Sequence, residues 1–294
     1  MKDYIKDIET IIDYYKKDLN QDSINIYNLL IQDYIKKIKN YLSSNIKSFK
    51  RSQSFTKERY NRIWDKTDLY DFYNPKSKNN CSIHLFKNKY FLSSNSLTTR
   101  VQQYLMIDKI NQLKPSNVLE VGCGQGFQLL LLSRLFHKTS FTGIDQSEVG
   151  INFANNFKNE TLDEILTKPL NYQFNERKEN NLEYLIQDAK EIKIESNSVD
   201  LVFTNLALEQ MDNIKFEVIS EIKRLSRKYI ILIEPFKDLN DKGIKYLHHS
   251  AKRYFNLRYN DLEDKNFKIV EYQNRFPNLI SLGYGMLVLK KNEN

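Results

Sequence analysis

The sequence of 294 residues has little of what covalent or metal-based frameworks need, with two cysteines and four histidines. Cys81 and Cys123 are too few for a disulfide framework, and Cys123 lies inside a glycine-rich turn where a bridge would be obstructive. Because only four histidines accompany them, a Cys/His metal cage is also excluded, and we expect no metal site.

Long apolar runs are absent as well. No window approaches the roughly 18–20 apolar residues that a membrane helix needs, and the opening MKDYIKDIE holds acids that a targeting peptide lacks. We therefore expect a cytoplasmic protein with no membrane span. Hydrophobic residues still make up 40% of the chain, which is enough for one sizeable core or two small ones.

The net charge of +8 is unevenly distributed. Residues 1–95 hold 18 bases and 11 acids, whereas residues 96–294 hold 27 bases and 26 acids. Between positions 36 and 57 there is no acid, and the seven bases there are Lys36, Lys37, Lys39, Lys47, Lys50, Arg51 and Lys57. We interpret this basic tract as a solvated face; a surface for nucleic acid or for a membrane is the alternative.

The N-terminal third is predicted to be a helical and aromatic-rich accessory or lid region, residues 1–95. Apolar residues at three- and four-residue steps indicate amphipathic helices within 5–19 and 24–42, which are packing surfaces or the interface of a homodimer. Residues 43–96 show no regular pattern, so we expect a connector that packs onto the main domain. Ser96 is predicted to cap a helix that stops before Pro115.

From position 117 onward, strands and helices alternate, which is typical of a parallel sheet with right-handed crossovers. The last two strands have no helix between them and predict an antiparallel pair at one edge. The fold class is therefore α/β, a Rossmann-like doubly wound and mostly parallel sheet with an antiparallel C-terminal edge strand and an N-terminal helical extension. The predicted strands are 117–121, 140–145, 182–188, 199–205, 229–236, 267–273 and 282–291.

Three of the eight glycines, Gly122, Gly124 and Gly126, directly follow the first of these strands. Such clustering indicates a backbone with positive φ or a ligand that approaches closer than a Cβ permits. A strand, a glycine turn and a helix N-terminus together are typical of a nucleotide-type site. The spacing departs from the GxGxxG of dinucleotide sites and from the P-loop. Glu120, two residues before the first glycine, suits a ligand with an ammonium and a sulfonium cation.

The segment VLEVGCGQG, residues 118–126, resembles the first motif of class I S-adenosylmethionine-dependent methyltransferases, and the resemblance covers residues 97–294. It implies a cofactor-binding domain over 96–294 that uses S-adenosylmethionine and releases S-adenosylhomocysteine. Asp145 would hold the ribose, Asp188 and Ala189 the adenine, and Asn205 the methionine end. The implied cofactor-binding residues are Glu120, Gly122, Cys123, Gly124, Gly126, Asp145, Gln146, Asp188, Ala189 and Asn205.

The catalytic residues are harder to predict, because methyl transfer needs mainly positioning, and needs a base only where the nucleophile carries a proton. The loop after Asn205 departs from the NPPY-type motif of amino-directed methylases, which disfavours such acceptors. The candidate bases are Glu209, His248 and His249, with Glu234 at the end of the fifth strand. The candidate substrate-binding residues are Tyr60, Trp64 and Arg100, of which Arg100 would reach an acidic substrate or the cofactor carboxylate.

The resemblance and these residues together predict a methyltransferase that acts on a small molecule at oxygen, on a sugar or an acidic metabolite. Three alternatives stay open at this point. The basic tract could hold RNA for methylation, the chain could be a catalytically silent partner subunit, or the glycine turn could serve an NAD-dependent oxidoreductase. The distance from Gly126 to Asp145 fits a dinucleotide site equally well.

Overall fold

A computed structural model describes residues 4–16, 26–46, 53–77, 81–174 and 181–292. Three bases of the basic tract, Lys47, Lys50 and Arg51, lie outside the described residues. The helices are α1 (Tyr4–Tyr15), α2 (Ile26–Ile46), α3 (Gln53–Lys66), α4 (Leu69–Tyr73), α5 (Ser96–Leu113), α6 (Phe127–Leu135), α7 (Glu148–Phe157), α8 (Glu164–Thr167), α9 (Lys215–Leu225) and α10 (Gly243–Lys252). The strands are β1 (Cys81–Phe86), β2 (Lys89–Ser94), β3 (Asn117–Val121), β4 (Ser140–Asp145), β5 (Leu182–Ile186), β6 (Val199–Asn205), β7 (Ser226–Glu234), β8 (Phe267–Gln273), β9 (Asn278–Leu279) and β10 (Gly285–Lys291).

The main sheet has seven strands in the order β5-β4-β3-β6-β7-β10-β8. Strands β3 to β7 pair in parallel, whereas β10 runs antiparallel to both β7 and β8. This arrangement confirms the predicted fold class. Strand β3 is central: β4 and β5 follow on one side of it, and β6 and β7 lie on the other. A crevice is therefore expected where the order reverses, outside the carboxyl ends of β3 and β6.

The sequence of β6, VDLVFTN, shows why the central strands are recognisable. Its first six residues are buried, because helices cover both faces of the sheet. Asp200 is the charged exception, and its carboxylate accepts a hydrogen bond from the Ser116 backbone N–H at 2.9 Å and pairs with Arg227 at 2.7 Å. The hydrogen bond ties the start of β6 to the chain that enters β3, and the ion pair ties it to the start of β7.

The region 43–96 contains regular structure where we predicted an irregular connector. Helices α3 and α4 are followed by a hairpin of β1 and β2, to which β9 adds a third strand. The hairpin turn is made by Lys87 and Asn88, both at positive φ (48° and 62°), a conformation that such turns usually obtain from Asn-Gly or Gly-Gly. The prediction failed because this turn contains no glycine.

Helix α5 confirms the predicted stop before Pro115 but corrects its predicted start. The helix ends at Leu113, and Lys114 takes the left-handed conformation. Ser96 is its first helical residue rather than its cap, since Asn95 precedes the helix and no side chain caps it. The Ser96 hydroxyl instead shares a hydrogen bond of 2.8 Å with the hydroxyl of Ser94.

The two N-terminal helices pack in different places. Residues Ile8, Ile11, Ile12 and Tyr15 of α1 are buried in the core that also contains residues of α5 and of the sheet. Helix α2 packs on α10 and leaves an apolar stripe exposed, namely Ile31, Tyr34, Ile35, Ile38 and Leu42. The domain boundary at residue 95 and a homodimer through these helices stay predictions. Among the described helices, none combines the length and the apolar character that crossing a bilayer requires.

Candidate functional site

A cavity of about 480 Å³ opens at the carboxyl ends of the parallel strands. Its volume lies within the range of about 300–1,000 Å³ that is typical of small-molecule sites. The glycine turn after β3, the ends of β4 and β6 and the segments after β5 and β6 form one part of its wall, and helices α3 to α6 form the other. All ten residues predicted to bind the cofactor line it.

The three glycines of the turn have φ values of 83°, 55° and 70°, as their clustering predicted. The protein itself already fills the space beside them. A Cβ on Gly122 would meet Ala207 at 2.5 Å, one on Gly124 would meet the Trp64 ring at 2.8 Å, and one on Gly126 would meet the Tyr184 ring at 2.4 Å. Backbone conformation and close packing both therefore require glycine here.

Replacement of Gly126 by alanine is expected to destabilise the fold by about 2–4 kcal/mol, the sum of a left-handed backbone penalty and overpacking against buried Tyr184. Gly243 is the matched control, because its φ is 58° but a Cβ would meet only the Tyr34 hydroxyl at 4.0 Å. Chemical denaturation measures both variants. Equal losses in the two would contradict the packing role of Tyr184.

Two carboxylates stand beside the turn. Glu120 is 3% exposed, and its Oε2 atom has no hydrogen-bond partner. Burial and the neighbouring charge of Asp145 raise the pKa of Glu120 well above its usual range. Asp145 accepts hydrogen bonds from the N–H of Gly124 at 2.9 Å and of Ser147 at 2.8 Å, and burial raises its pKa. The Oδ1 atom of Asn205 is a second buried acceptor without a hydrogen-bond partner.

Further along the wall, Gln146, Asp188 and Ala189 follow β4 and β5. Asp188 is exposed and accepts a hydrogen bond from the backbone N–H of Lys190 at 3.0 Å. Together with Glu120, Asp145 and Glu209 it brings the carboxylates of the lining to four. No lysine, arginine or histidine lines the cavity among the residues that the structure describes. The cavity therefore favours a cationic ligand.

The loop after β6 is held by Glu234, a fully buried residue that does not line the cavity. Its Oε1 atom accepts hydrogen bonds from the Thr204 hydroxyl and from the backbone N–H groups of Ala207 and Leu208, at 2.8–3.1 Å. Its Oε2 atom accepts one from the Glu209 backbone at 3.3 Å. Burial and the Glu209 charge raise the pKa of Glu234 to about 8. Glu234 is thus a positioning residue, and Glu209 is the candidate base that reaches the cavity.

Helix α3 lies over the glycine turn and brings two predicted substrate residues to the wall. The rings of Tyr60 and Trp64 are 5.7 Å apart, and both line the cavity. The helix is fastened to the start of α7 by an ion pair of Lys57 with Glu148 at 3.0 Å and by a hydrogen bond from the Ser147 hydroxyl to Asn61 at 2.6 Å. The pattern of residues 43–96 gave no indication of this helix.

The structure corrects the prediction that Arg100 reaches a substrate or the cofactor carboxylate. Its guanidinium is fully buried outside the lining and donates to the Tyr15 hydroxyl, to Gln103 Oε1 and to the Ile165 carbonyl, at 2.8–3.0 Å. It also stacks on the Tyr73 ring at 3.9 Å. Because each of its three nitrogens already donates within the protein, Arg100 joins α1, α5 and α8 instead of reaching a substrate.

The two histidines of α10 are also outside the cavity lining, because this helix packs against α2. His248 makes an edge contact with Tyr254, and burial lowers its pKa to about 3. The Nε2 atom of His249 is 3.2 Å from the Pro235 carbonyl, and burial lowers its pKa. Neither is placed to act as the catalytic base.

Comparisons with known proteins identify a family. A family model described as a methyltransferase domain matches residues 113–274. No curated protein sequence matches the chain. Among solved structures, geranyl diphosphate C-methyltransferase from Streptomyces coelicolor is similar at 11% identity and a TM-score of 0.49, covering 81% of this chain and 98% of that one. Magnesium protoporphyrin IX methyltransferase from Synechocystis matches at 16% identity and 0.46, covering 82% and 93%. The PH0226 protein from Pyrococcus horikoshii matches at 17% and 0.48, covering 68% and 92%.

Proposed function

The chain belongs to the methyltransferase domain family, as a class I S-adenosylmethionine-dependent enzyme, and we propose that it methylates a small-molecule acceptor at an oxygen atom. The proposal places cofactor and acceptor together in the cavity described above. One observation carries it. The lining has four carboxylates and, among the residues that the structure describes, no lysine, arginine or histidine. Two buried acceptor atoms in it, Glu120 Oε2 and Asn205 Oδ1, have no hydrogen-bond partner.

These residues fit the cofactor chemically. A buried acceptor without a partner costs about 1–3 kcal/mol, so a cluster of them indicates that a ligand supplies the missing donors. Glu120 and Asn205 would bind the ammonium of the methionine end. Asp145 would accept from the ribose hydroxyls with the lone pairs that its backbone donors leave free. Asp188 and the N–H of Ala189 would hold the adenine, as the motif resemblance implies.

When bound, S-adenosylmethionine supplies an activated methyl group: an acceptor oxygen forms the new bond to carbon while the carbon–sulfur bond breaks and sulfur keeps its electron pair. The protein contributes position and charge. Trp64 lies against Gly124 of the glycine turn, and Tyr60 lines the cavity beside it. Glu209, 7% exposed in the cavity wall, is the group that would accept a hydroxyl proton.

Charge also favours a small molecule over RNA. A polyanion needs positively charged side chains near the reacting position, and the described part of the lining has no lysine, arginine or histidine. Within the basic tract, Lys57 pairs with Glu148 and Lys37 pairs with Asp33 at 3.7 Å. The same acidic lining is unfavourable for the pyrophosphate of a dinucleotide, so the NAD-dependent alternative is also disfavoured.

The cofactor site is tested by isothermal titration with S-adenosylmethionine. We expect saturable binding that Asp145→Ala weakens by about 1–3 kcal/mol, or about 5–150-fold, because ribose hydroxyls and backbone donors lose their acceptor. Asp241→Ala, at an exposed position outside the cavity, should leave the affinity unchanged. Tight binding of NAD without binding of S-adenosylmethionine would contradict the proposal.

Transfer itself is tested with a labelled methyl donor and a fractionated pool of metabolites, followed by mass spectrometry of the labelled product. A methyl ether or ester in the product supports transfer to oxygen. Cofactor binding without any labelled product, in the presence of an acceptor pool, would instead support a catalytically silent subunit.

A further inference from the structure

The part of the cavity that lies between α3, α4, α5 and α6 has no role in the cofactor assignment. We call it the aromatic half, and it consists of Tyr60, Trp64, Phe72, Tyr73, Gln102, Phe127 and Gln128. Resting on the proposed function, we infer that this half binds the methyl acceptor, and that the acceptor is an uncharged aromatic molecule with both a hydrogen-bond acceptor and a donor on its rim.

The orphaned polar atoms of this half point to a ligand. Gln102 is 1% exposed and Gln128 is 8% exposed, and neither the Nε2 atom of Gln102 nor the amide atoms of Gln128 have a partner. The indole Nε1 of Trp64 is likewise buried without a partner. Native proteins pair nearly all such atoms, so several in one cavity indicate that the partner is a bound molecule.

The donor and acceptor character of these atoms defines the rim of that molecule. Trp64 Nε1 and Gln102 Nε2 can only donate, so they call for acceptor atoms such as a carbonyl or ether oxygen. Gln128 can donate through Nε2 and accept through Oε1, so it matches a hydroxyl or an amide. A purely apolar acceptor would leave all of these atoms unpaired.

The charge of the wall disfavours an acid as the methyl acceptor. A carboxylate or phosphate would enter beside Glu120, Asp145 and Glu209 with no base in the described lining to compensate it. Arg100, a buried cation that stacks on the lining residue Tyr73, is already engaged by three protein acceptors. This charge arrangement replaces the acidic metabolite of the sequence prediction with an uncharged molecule.

The rings of the wall give a flat ligand an apolar surface to pack against. Tyr60 and Trp64 form one aromatic pair, and Tyr73 and Phe127 form another with centroids 4.9 Å apart. Aromatic rings pack well against other flat apolar groups. A monosaccharide also has an apolar face, but it carries a hydroxyl on nearly every carbon, and each hydroxyl needs a partner on burial. The orphaned atoms of this wall are too few for that.

The test uses the full chain saturated with S-adenosylhomocysteine and measures binding by calorimetry and saturation-transfer NMR. The probes are uncharged para-substituted phenols and benzamides such as 4-hydroxybenzamide, each paired with its carboxylate, such as 4-hydroxybenzoate, with methyl glucoside as the sugar arm. We expect neutral aromatic probes to bind at least about tenfold more tightly than their carboxylate partners and than the glucoside. Failure of S-adenosylhomocysteine to bind would overturn the proposed function. If S-adenosylhomocysteine binds but no neutral aromatic probe does, or if the carboxylates or the glucoside bind more tightly, only this inference would be overturned.

Variants separate recognition from structure. Gln102→Leu keeps the volume and removes the orphaned amide, so probe affinity should fall about tenfold while S-adenosylhomocysteine affinity is unchanged and Tm is not lowered. Gln32→Leu, at an exposed position of α2, is the matched control and should change neither affinity. A lower Tm with unchanged probe affinity in Gln102→Leu would show that the amide is structural and would overturn its role in recognition.

Discussion

Glu120→Gln is expected to raise the stability of the free protein and to weaken S-adenosylmethionine binding by about 1.5–3 kcal/mol, or about 10–150-fold. The stability gain follows from the removal of a buried carboxylate that has an orphaned oxygen and faces the charge of Asp145. The affinity loss follows because the ammonium of the ligand loses a charged acceptor. Thermal unfolding and calorimetry measure the two effects on the same samples. Glu183→Gln, on the exposed face of β5, is the control for a loss of one negative charge.

The pH dependence of binding gives an independent check on Glu120. Burial and Asp145 raise its pKa in the free protein, and a bound cation stabilises the ionised form and lowers that pKa again. Binding must therefore release protons, and wild-type affinity must increase as the pH rises through the pKa of the free protein. We expect Glu120→Gln to reduce both the proton release and the slope. Equal slopes in the two proteins would mean that the cation is not bound beside Glu120.

Glu234→Ala is expected to destabilise the fold by about 3–5 kcal/mol, because it leaves four buried donors without an acceptor in one step. The same loop holds Leu206 at a φ of 53°, a conformation that a branched side chain adopts only when its surroundings fix it. Loss of Glu234 should therefore also displace Asn205 and lower cofactor affinity. Urea denaturation and calorimetry test both effects. Asp261→Ala, whose carboxylate accepts from the exposed backbone N–H of Arg258, is the control and should cost less than about 1 kcal/mol.

The pKa of Glu234 also predicts a pH-dependent contribution of this carboxyl to the stability of the wild type. Its value is about 8 in the folded protein, against an unfolded value of about 4.3. A carboxyl with a raised pKa contributes stability that is complete below the unfolded value and is lost as the pH rises through the folded value. The contribution of Glu234 to stability should thus decrease between about pH 4.3 and 8, and over this range the stability of Glu209→Gln should fall less, relative to the wild type, because the Glu209 charge is one cause of the shift. An unchanged profile in that variant would contradict the coupling of the two carboxylates.

Much of the fold could be predicted from local pattern. The boundaries of β3, β4, β6 and β8 were predicted correctly, since apolar residues in short runs identify strands without knowledge of their neighbours. The hairpin of β1 and β2 and the helix α3 could not be predicted in this way. The hairpin turn lacks glycine, and α3 owes its place to contacts with α7 that are distant in sequence.

The candidate site likewise contains residues that the sequence predicts and residues that only the structure shows. The glycine turn and the acids at strand ends are visible in the sequence because a parallel sheet brings the carboxyl ends of its strands to one edge. Arg100, His248 and His249 were chosen mainly for their chemistry, but Arg100 lies in a buried network and the histidines lie outside the cavity lining. Gln102 and Gln128 were missed because a glutamine on a helix has no signal of its own until its burial is known.

The sequence by itself therefore determined the sheet, the glycine turn and the family, because each depends on residues that are close together along the chain or occur at regular spacing. The tertiary structure alone decided what surrounds the cavity. The placement of Trp64 on Gly124, the absence of a base among the described lining residues and the orphaned amides all arise from the packing of α3, α5 and α6, segments far apart in sequence. Burial and charge pairing are properties of that packing, and they are what define the ligand.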